Sequence, residues 1–173
     1  MSESRPPDPE PIENRGWENL ARDAARVAAA GEAFDDVLQL LSFELDGAPY
    51  AVPVDRVREI VRMRSITPVP RVPEEVRGVI SLRGEIIQVI DMRRRLGLPP
   101  VEATRHTRLI VARDSEGRVA AMLVDAVREV LRVGADAIRV TDGSDSGVVD
   151  GLCEFGGRFV SMIELDRVLE LDA

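Results

Sequence analysis

The sequence contains no lysine, and all 23 of its basic residues are arginine. The simplest explanation is a codon bias of the genome, which we favour over a design for phosphate binding. Aromatic residues make up only 3% of the chain, and the net charge is −8. Nucleic-acid-binding proteins need basic surfaces and aromatic stacking platforms. We therefore expect no nucleic-acid partner, and we interpret Arg93-Arg94-Arg95 as a solvated helix end.

Chemically reactive residues and long apolar runs are also few. With one cysteine, Cys153, and one histidine, His106, the chain cannot form an intramolecular disulfide or a Cys/His zinc site. We expect Cys153 to be a small core residue and His106 to be exposed. No apolar run approaches the ~18 residues of a membrane span, and no phosphate loop, nucleophile elbow or metal motif occurs. The missing motifs speak against an enzyme, no cofactor is implied, and the short apolar runs speak against membrane insertion.

The first 36 residues differ from the rest of the chain. Residues 1–14 carry four prolines and four acidic residues, which predicts a disordered tail rather than a signal peptide, and hence a cytoplasmic protein. Apolar residues at helical spacing predict an amphipathic helix over residues 15–30. The net charge is −5 for residues 1–36 and −3 for residues 37–173. This shift predicts a boundary near Phe34, with an acidic tail and a short helix in residues 1–36 and a folded domain in residues 37–173.

The stretch 77–98 organises the folded part of the chain. Two apolar, β-branched runs at 79–82 and 86–90 flank Arg83-Gly84-Glu85, which predicts a β-hairpin with Gly84 at a positive φ. Residues 92–96 then indicate a short helical exit. Further strands are predicted upstream, at residues 38–45 and 50–54. Residues 58–63 fit either a helix or a strand, of which we favour the strand because prolines keep the following chain extended.

The second part of this domain repeats the first. A shift of 70 residues aligns 47–62 with 117–132, and a shift of 73 aligns 78–96 with 151–169. The three extra residues fall in a Gly/Ser/Asp-rich loop at 141–150. Two nearly equal offsets in the same order favour an internal duplication over chance similarity of apolar strands.

Each half of the domain, about 37–100 and 105–173, offers about five short strands, which suggests a small β-barrel. A unit of about 70 residues has only a marginal core of its own. We therefore expect a mainly β protein in which two such units pack against each other.

Arg83 is the sharpest candidate for a binding residue. The aligned turn position in the second half is Gly156, and a two-residue hairpin turn accommodates Gly-Gly most easily because both positions favour a positive φ. Arg83 is either an ordinary solvated charge or an interface anchor, and the residues alone favour neither. On their spacing, Val57 and Ile60 are expected to be core, with Glu59 as a solvated neighbour.

The predicted hairpin closely resembles the signature of the CheW family of bacterial chemotaxis coupling proteins. It reads Gly-Val-Ile-Ser-Leu-Arg-Gly at 78–84, then an apolar strand at 86–90, then Asp91-Met92-Arg93. Ser81 stands where the family usually has asparagine. The resemblance covers about 37–171 and implies two small SH3-like five-stranded β-barrels around a shared core. It also implies partner-binding roles for seven residues, which are Val57, Glu59, Ile60, Gly78, Leu82, Arg83 and Gly84.

The same resemblance implies a non-enzymatic adaptor. Such a protein would bridge the cytoplasmic tip of a methyl-accepting chemoreceptor to the regulatory domain of a CheA-type histidine kinase, which has the same double-barrel fold. It would be recruited from the cytoplasm to receptor arrays at the membrane. Two alternatives stay open: a CheW-like scaffold in a non-flagellar pathway with pili or another output, and a small enzyme with an unrecognised site.

Overall fold

The computed structural model of the chain describes residues 37–141 and 147–171. Within these ranges the chain forms eleven strands, two short α-helices and two 3₁₀ turns. The predicted tail and the predicted helix at 15–30 lie outside the described residues, as do residues 142–146 of the predicted loop.

The predicted strands, hairpin and helical exit are confirmed, with ends that differ by at most a few residues. The first half contains β1 (Val37–Leu45), β2 (Ala48–Pro53), a 3₁₀ turn (Val54–Arg56), β3 (Val57–Arg62), β4 (Val76–Leu82), β5 (Glu85–Asp91) and helix α1 (Met92–Arg95). The second half contains β6 (Arg108–Arg113), β7 (Val119–Val124), β8 (Ala126–Gly134), a 3₁₀ turn (Ala135–Ala137), β9 (Ile138–Val140), β10 (Val149–Phe155), β11 (Arg158–Ile163) and helix α2 (Leu165–Leu169).

Asp91 ends β5 and begins α1. Its carboxylate accepts hydrogen bonds from the backbone N–H groups of Arg93, at 3.0 Å, and Arg94, at 3.3 Å. These bonds satisfy two of the donors that a helix start leaves free. Gly97, with a φ of 70°, follows the helix and lets the chain turn away.

The strands form two sheets. The outer sheet has the order β8-β1-β2-β11-β10-β9, and the central sheet has the order β3-β6-β7-β5-β4. Phe43 and Leu45 of the outer sheet pack with Ile90 and Met122 of the central sheet and with Val168 of α2 in one shared core. The predicted mainly β fold with two small units over a shared core is confirmed, although the outer sheet has six strands because the short β9 adds to its edge.

Neither sheet is built from one half of the chain. β1 and β2 of the first half pair with β8 and β11 of the second, while β6 and β7 of the second half pair with β3 and β5 of the first. The suggestion that each half forms its own barrel is therefore wrong. The 3₁₀ turn at Val54–Arg56 carries the chain from the outer to the central sheet, and Asp125 marks the return. The exchange gives both halves one common core.

The two sheets repeat the same register. In the central sheet, Gln88 and Val89 of β5 pair in parallel with Ala120 and Ala121 of β7. In the outer sheet, the residues that lie 73 positions later in β11 and 70 positions earlier in β2 pair in the same way: Ser161 with Tyr50 and Met162 with Ala51. The strand ladders interrupt at matching places in β4 and β10. The predicted duplication thus reappears as the same strand register in both sheets.

Replacement of Gly157 by valine should destabilise the fold by about 1–2 kcal/mol. Gly157 has a φ of 75°, and nothing lies within 4 Å of the Cβ that valine would add, so the loss comes from backbone strain alone. Urea denaturation of wild type and Gly157→Val measures it. Loss of partner binding at unchanged stability would contradict this assignment of Gly157 to the fold.

Candidate interaction surface

Arg83 and Gly84 form the two-residue turn between β4 and β5. Leu82 pairs with Glu85 across the turn, and φ is 52° at Arg83 and 82° at Gly84. The predicted positive φ of Gly84 is confirmed. Residues with a Cβ are disfavoured in this region by about 1–2 kcal/mol. Arg83 therefore occupies a position where glycine fits best.

Glu59 holds the side chain of Arg83 in place. Arg83 donates from Nε to Oε1 of Glu59 at 3.1 Å and from Nη2 to Oε2 at 3.3 Å. The side chain of Arg83 is 75% exposed and that of Glu59 only 21%. The hydrogen bonds and the charge of Glu59 raise the pKa of the Arg83 guanidinium above its ordinary value. Because two bonds fix the plane of the guanidinium, its free face points to solvent in a defined orientation.

A second ion pair runs beside the first. Nη1 of Arg58 lies 2.7 Å from Oε2 of Glu85, so both pairs link β3 to the hairpin although β3 and β4 are opposite ends of the central sheet. The sequence indicated Glu59 and Arg83 only as separate candidates, and it did not predict the ion pair of Arg58 with Glu85. The sequence did carry a signal for these pairs. Arg58 and Glu59 are neighbours of opposite charge, and the partners that they meet in the hairpin, Glu85 and Arg83, also have opposite charges.

Two isoleucines give this surface its apolar part. Ile60 is 42% exposed and Ile86 is 71% exposed. The expectation that Ile60 is core is wrong, because its side chain stays exposed on β3, whereas Val57 packs against the shared core as expected. Ile86 was missed, although the alternation of β5 places Ile87 inward and Ile86 outward. Leu82 is only 7% exposed, so the hairpin presents its backbone there rather than its side chain.

Ser81, the departure from the family pattern, lies in the regular part of the hairpin. It pairs with Ile86 in the strand ladder, and its carbonyl accepts a hydrogen bond from Nη1 of Arg64 at 3.1 Å. The register of the hairpin is thus undisturbed at Ser81.

Gly78 is buried and lies away from the exposed surface. Its φ is 139°, and an added Cβ would lie 2.1 Å from the carbonyl oxygen of Thr67. This close approach lets Thr67 and Val79 exchange two backbone hydrogen bonds of 2.9 Å across the edge of β4. The matching glycine in the outer sheet, Gly151, meets the carbonyl of Arg139 in a similar way, at 3.0 Å. Because both sheets have a glycine here, we infer that Gly78 acts through the fold.

Gly78→Ala should destabilise the protein by more than about 2 kcal/mol, because the methyl group meets backbone that cannot move aside cheaply. Gly84→Ala is the matched control. Its added methyl group meets nothing within 4 Å, so only the strain of a positive φ remains, about 1 kcal/mol. Urea denaturation compares the two variants. If Gly78→Ala had the free energy of unfolding of wild type and yet failed to bind a partner, Gly78 would be a contact residue.

The arginines at 93–95 serve the fold. Arg93 is 13% exposed and its Nη2 lies 2.6 Å from Oδ2 of Asp125, which joins α1 to the start of β8. Burial opposes the ionisation of Asp125, but hydrogen bonds, above all from Arg93, hold its pKa below its ordinary value. Arg95 donates to the carbonyl of Arg167 at 2.6 Å. The interpretation of the triplet as a solvated helix end is therefore wrong for Arg93.

The cysteine and the histidine occupy the expected environments. Cys153 is buried in the outer sheet, and burial raises its pKa. His106 is exposed, and its Nε2 accepts a hydrogen bond from Arg105 at 3.1 Å. Across residues 37–141 and 147–171, no three His, Cys, Asp or Glu side chains cluster as a metal site would require. In the same ranges, no helix has the length and apolar character needed to span a membrane.

Comparison with known proteins gives this surface a context. Residues 39–173 match the family model described as CheW-like domain. The chemotaxis protein CheW of Thermotoga maritima is 34% identical over 76% of this chain and 87% of its own length. The CheW protein of Helicobacter pylori is 28% identical over 85% of this chain and 92% of its own length.

A solved structure agrees. The scaffolding protein TtCheW from Thermoanaerobacter tengcongensis superposes with a TM-score of 0.73 at 30% identity, over 78% of this chain and 94% of that protein. The chain thus has the mainly β fold of a chemotaxis scaffolding protein, and it belongs to the CheW-like domain family. It is an adaptor of chemotaxis signalling.

Proposed function

We propose that this chain links the regulatory domain of a CheA-type histidine kinase to the cytoplasmic tip of a methyl-accepting chemoreceptor. It does so in the cytoplasm and without catalysis of its own. Family membership supports a place in a chemosensory array. A few exposed apolar residues beside a fixed ion pair suit a modest, reversible protein contact. Holding two partners together raises the effective concentration of one near the other, which is how a scaffold passes on a signal.

The positive φ of Arg83 is the observation that carries this proposal. The fold does not require arginine there, because the matching turn of the outer sheet has Gly156, with a φ of 57°. A residue that is strained and exposed, and whose orientation is fixed by a neighbour, indicates a functional position when the core gains nothing from it. Arginine is also enriched, together with tryptophan and tyrosine, among the hot-spot residues of protein interfaces.

The seven residues of the candidate site divide into two groups in this proposal. Glu59, Ile60 and Arg83 touch the partner, and the newly found Ile86 extends their surface. Val57 supports β3 from inside, and three residues set the shape of the hairpin: Gly78 and Leu82 in β4, and Gly84 in the turn.

Arg83→Glu should weaken binding of at least one partner by about 30-fold or more, because it removes the donor fork and places a repelling charge at the contact. Arg83→Lys should lose less, since it keeps the charge but not the two-bond geometry. Both should fold, because the side chain is exposed. Calorimetric titration against a receptor fragment and the kinase regulatory domain, each alone, identifies the partner that Arg83 serves.

Arg83→Gly separates binding from stability. Glycine relieves the positive φ, and the exposed ion pair that it removes stabilises a fold by at most about 1 kcal/mol. The variant should therefore have a melting temperature equal to or above that of wild type, and it should nevertheless bind the partner more weakly than wild type does. If all three Arg83 variants bound both partners like wild type, the turn would be ordinary surface.

We further propose that residues 1–36 form a tail separate from the folded domain. The charge difference at this boundary and the start of the family match at residue 39 support the division. A chain that begins at Phe34 should melt within a few degrees of the full chain. Insoluble protein from the shortened chain would show that the tail belongs to the core.

A further inference from the structure

The two sheets carry opposite charges at one equivalent position. In the central sheet, the irregularity in β4 places Arg77 beside Asp91, the residue that begins α1, with Nη1 and Oδ2 3.3 Å apart. In the outer sheet, Asp150 stands at the matching irregularity of β10. Its carboxyl group lines one cleft with that of Glu164, the residue that begins α2, and forms a hydrogen bond with it. An ion pair in one sheet is thus replaced by a pair of carboxyl groups in the other.

The carboxyl pair lines a cleft of about 300 Å³. The charged groups that face Glu164 there are Asp150 from β10, Asp166 and Arg167 from α2, and Arg56 from the 3₁₀ turn after β2. Arg167 is engaged by the carbonyl of Gly147 at 2.9 Å. No arginine occupies the place that Arg77 fills in the central sheet, because Asp150 stands there.

Two carboxyl groups that form a hydrogen bond cannot both ionise at little cost, because the two like charges would lie close together. Burial, and then the hydrogen bond with Asp150, raise the pKa of Glu164 to about 7. Asp166 behaves in the opposite way. Burial opposes its ionisation, but hydrogen bonds from Ser115 hold its pKa below its ordinary value. The raised pKa therefore belongs to Glu164, and Asp150 contributes to it as the hydrogen-bonding neighbour.

We propose that the Asp150–Glu164 pair makes the docking of helix α2 on the shared core sensitive to pH near neutrality. Leu165 and Val168 of α2 are buried in that core. The N–H of Val168 donates to the carbonyl of Glu164 at 3.1 Å, so the pair stands at the first turn of the helix. Loss of the proton destabilises this turn of the helix. Because Leu165 and Val168 are buried in the shared core, it also weakens the packing of α2 against that core.

The direction of the effect follows from the two pKa values of Glu164. The ordinary value is 4.5, and the folded value is about 7. Between these values the folded state holds a proton that the unfolded chain has lost. The stabilisation by the protonated pair is complete below the ordinary pKa and is lost as the pH rises through the folded pKa. Helix α2 is therefore held less firmly above neutral pH.

Hydrogen exchange of the full chain at pH 6 and pH 8 tests the proposal, with α1 as the reference in the same sample. Exchange rates are first corrected for intrinsic exchange. From pH 6 to pH 8, the opening constants of the Val168 amide in α2 and the Glu170 amide just after it should then increase about three- to tenfold more than that of the Leu96 amide after α1. Carboxyl NMR of Glu164 should show a midpoint near 7. A Glu164 midpoint near the ordinary value, or equal responses of α1 and α2, would overturn the proposal.

Two variants sharpen the test. Glu164→Gln keeps the size of the side chain and stays neutral, so the excess response of α2 to pH should vanish. Asp150→Arg rebuilds the ion pair of the central sheet and should lower the Glu164 midpoint below its ordinary value. A full pH response in Glu164→Gln would contradict the role of the pair. Partner binding through Arg83 is independent of either outcome.

Discussion

The parallel pairing of β5 with β7, and of β2 with β11, is the constraint on which the rest of the structure depends. Each pairing joins a strand of one half to a strand of the other, so each sheet needs both halves. The apolar faces of the sheets then meet in one core, which a unit of about 70 residues could barely build alone. Both hairpins extend from this core with their turns in solvent, and α1 and α2 close it.

The duplication provides a comparison within one molecule, because the same backbone position occurs twice with different residues. Where the two sheets keep the same residue, as at Gly78 and Gly151, the backbone explains it, since a carbonyl approaches both glycines. Where the two sheets carry different residues, the backbone alone does not explain which residue stands at the position. Arg83 replaces a glycine on an exposed turn, and Asp150 replaces an arginine beside a helix start. The first difference supports a contact with another protein, and the second supports a response to pH.

Local features could be predicted from the sequence because they depend on neighbouring residues. The hairpin, the positive φ of Gly84 and the short helix after Asp91 are of this kind. The exchange of strands could not be predicted, because the two offsets of the repeat are the same whether each hairpin pairs within its own half or with the other. The burial of Arg93 and the exposure of Ile60 were missed for a related reason. Both depend on which strand lies next to them, and Asp125 is far from Arg93 in the sequence.

The central claim is that the free face of Arg83, rather than its ion pair with Glu59, makes the partner contact. The double variant Glu59→Arg, Arg83→Glu tests this most directly, because it restores the ion pair in reverse and removes the guanidinium from the turn. Its melting temperature and its affinity for the receptor fragment and the kinase regulatory domain are compared with those of the two single variants. The account predicts that stability recovers while binding stays as weak as in Arg83→Glu. Recovery of wild-type binding in the double variant would contradict it.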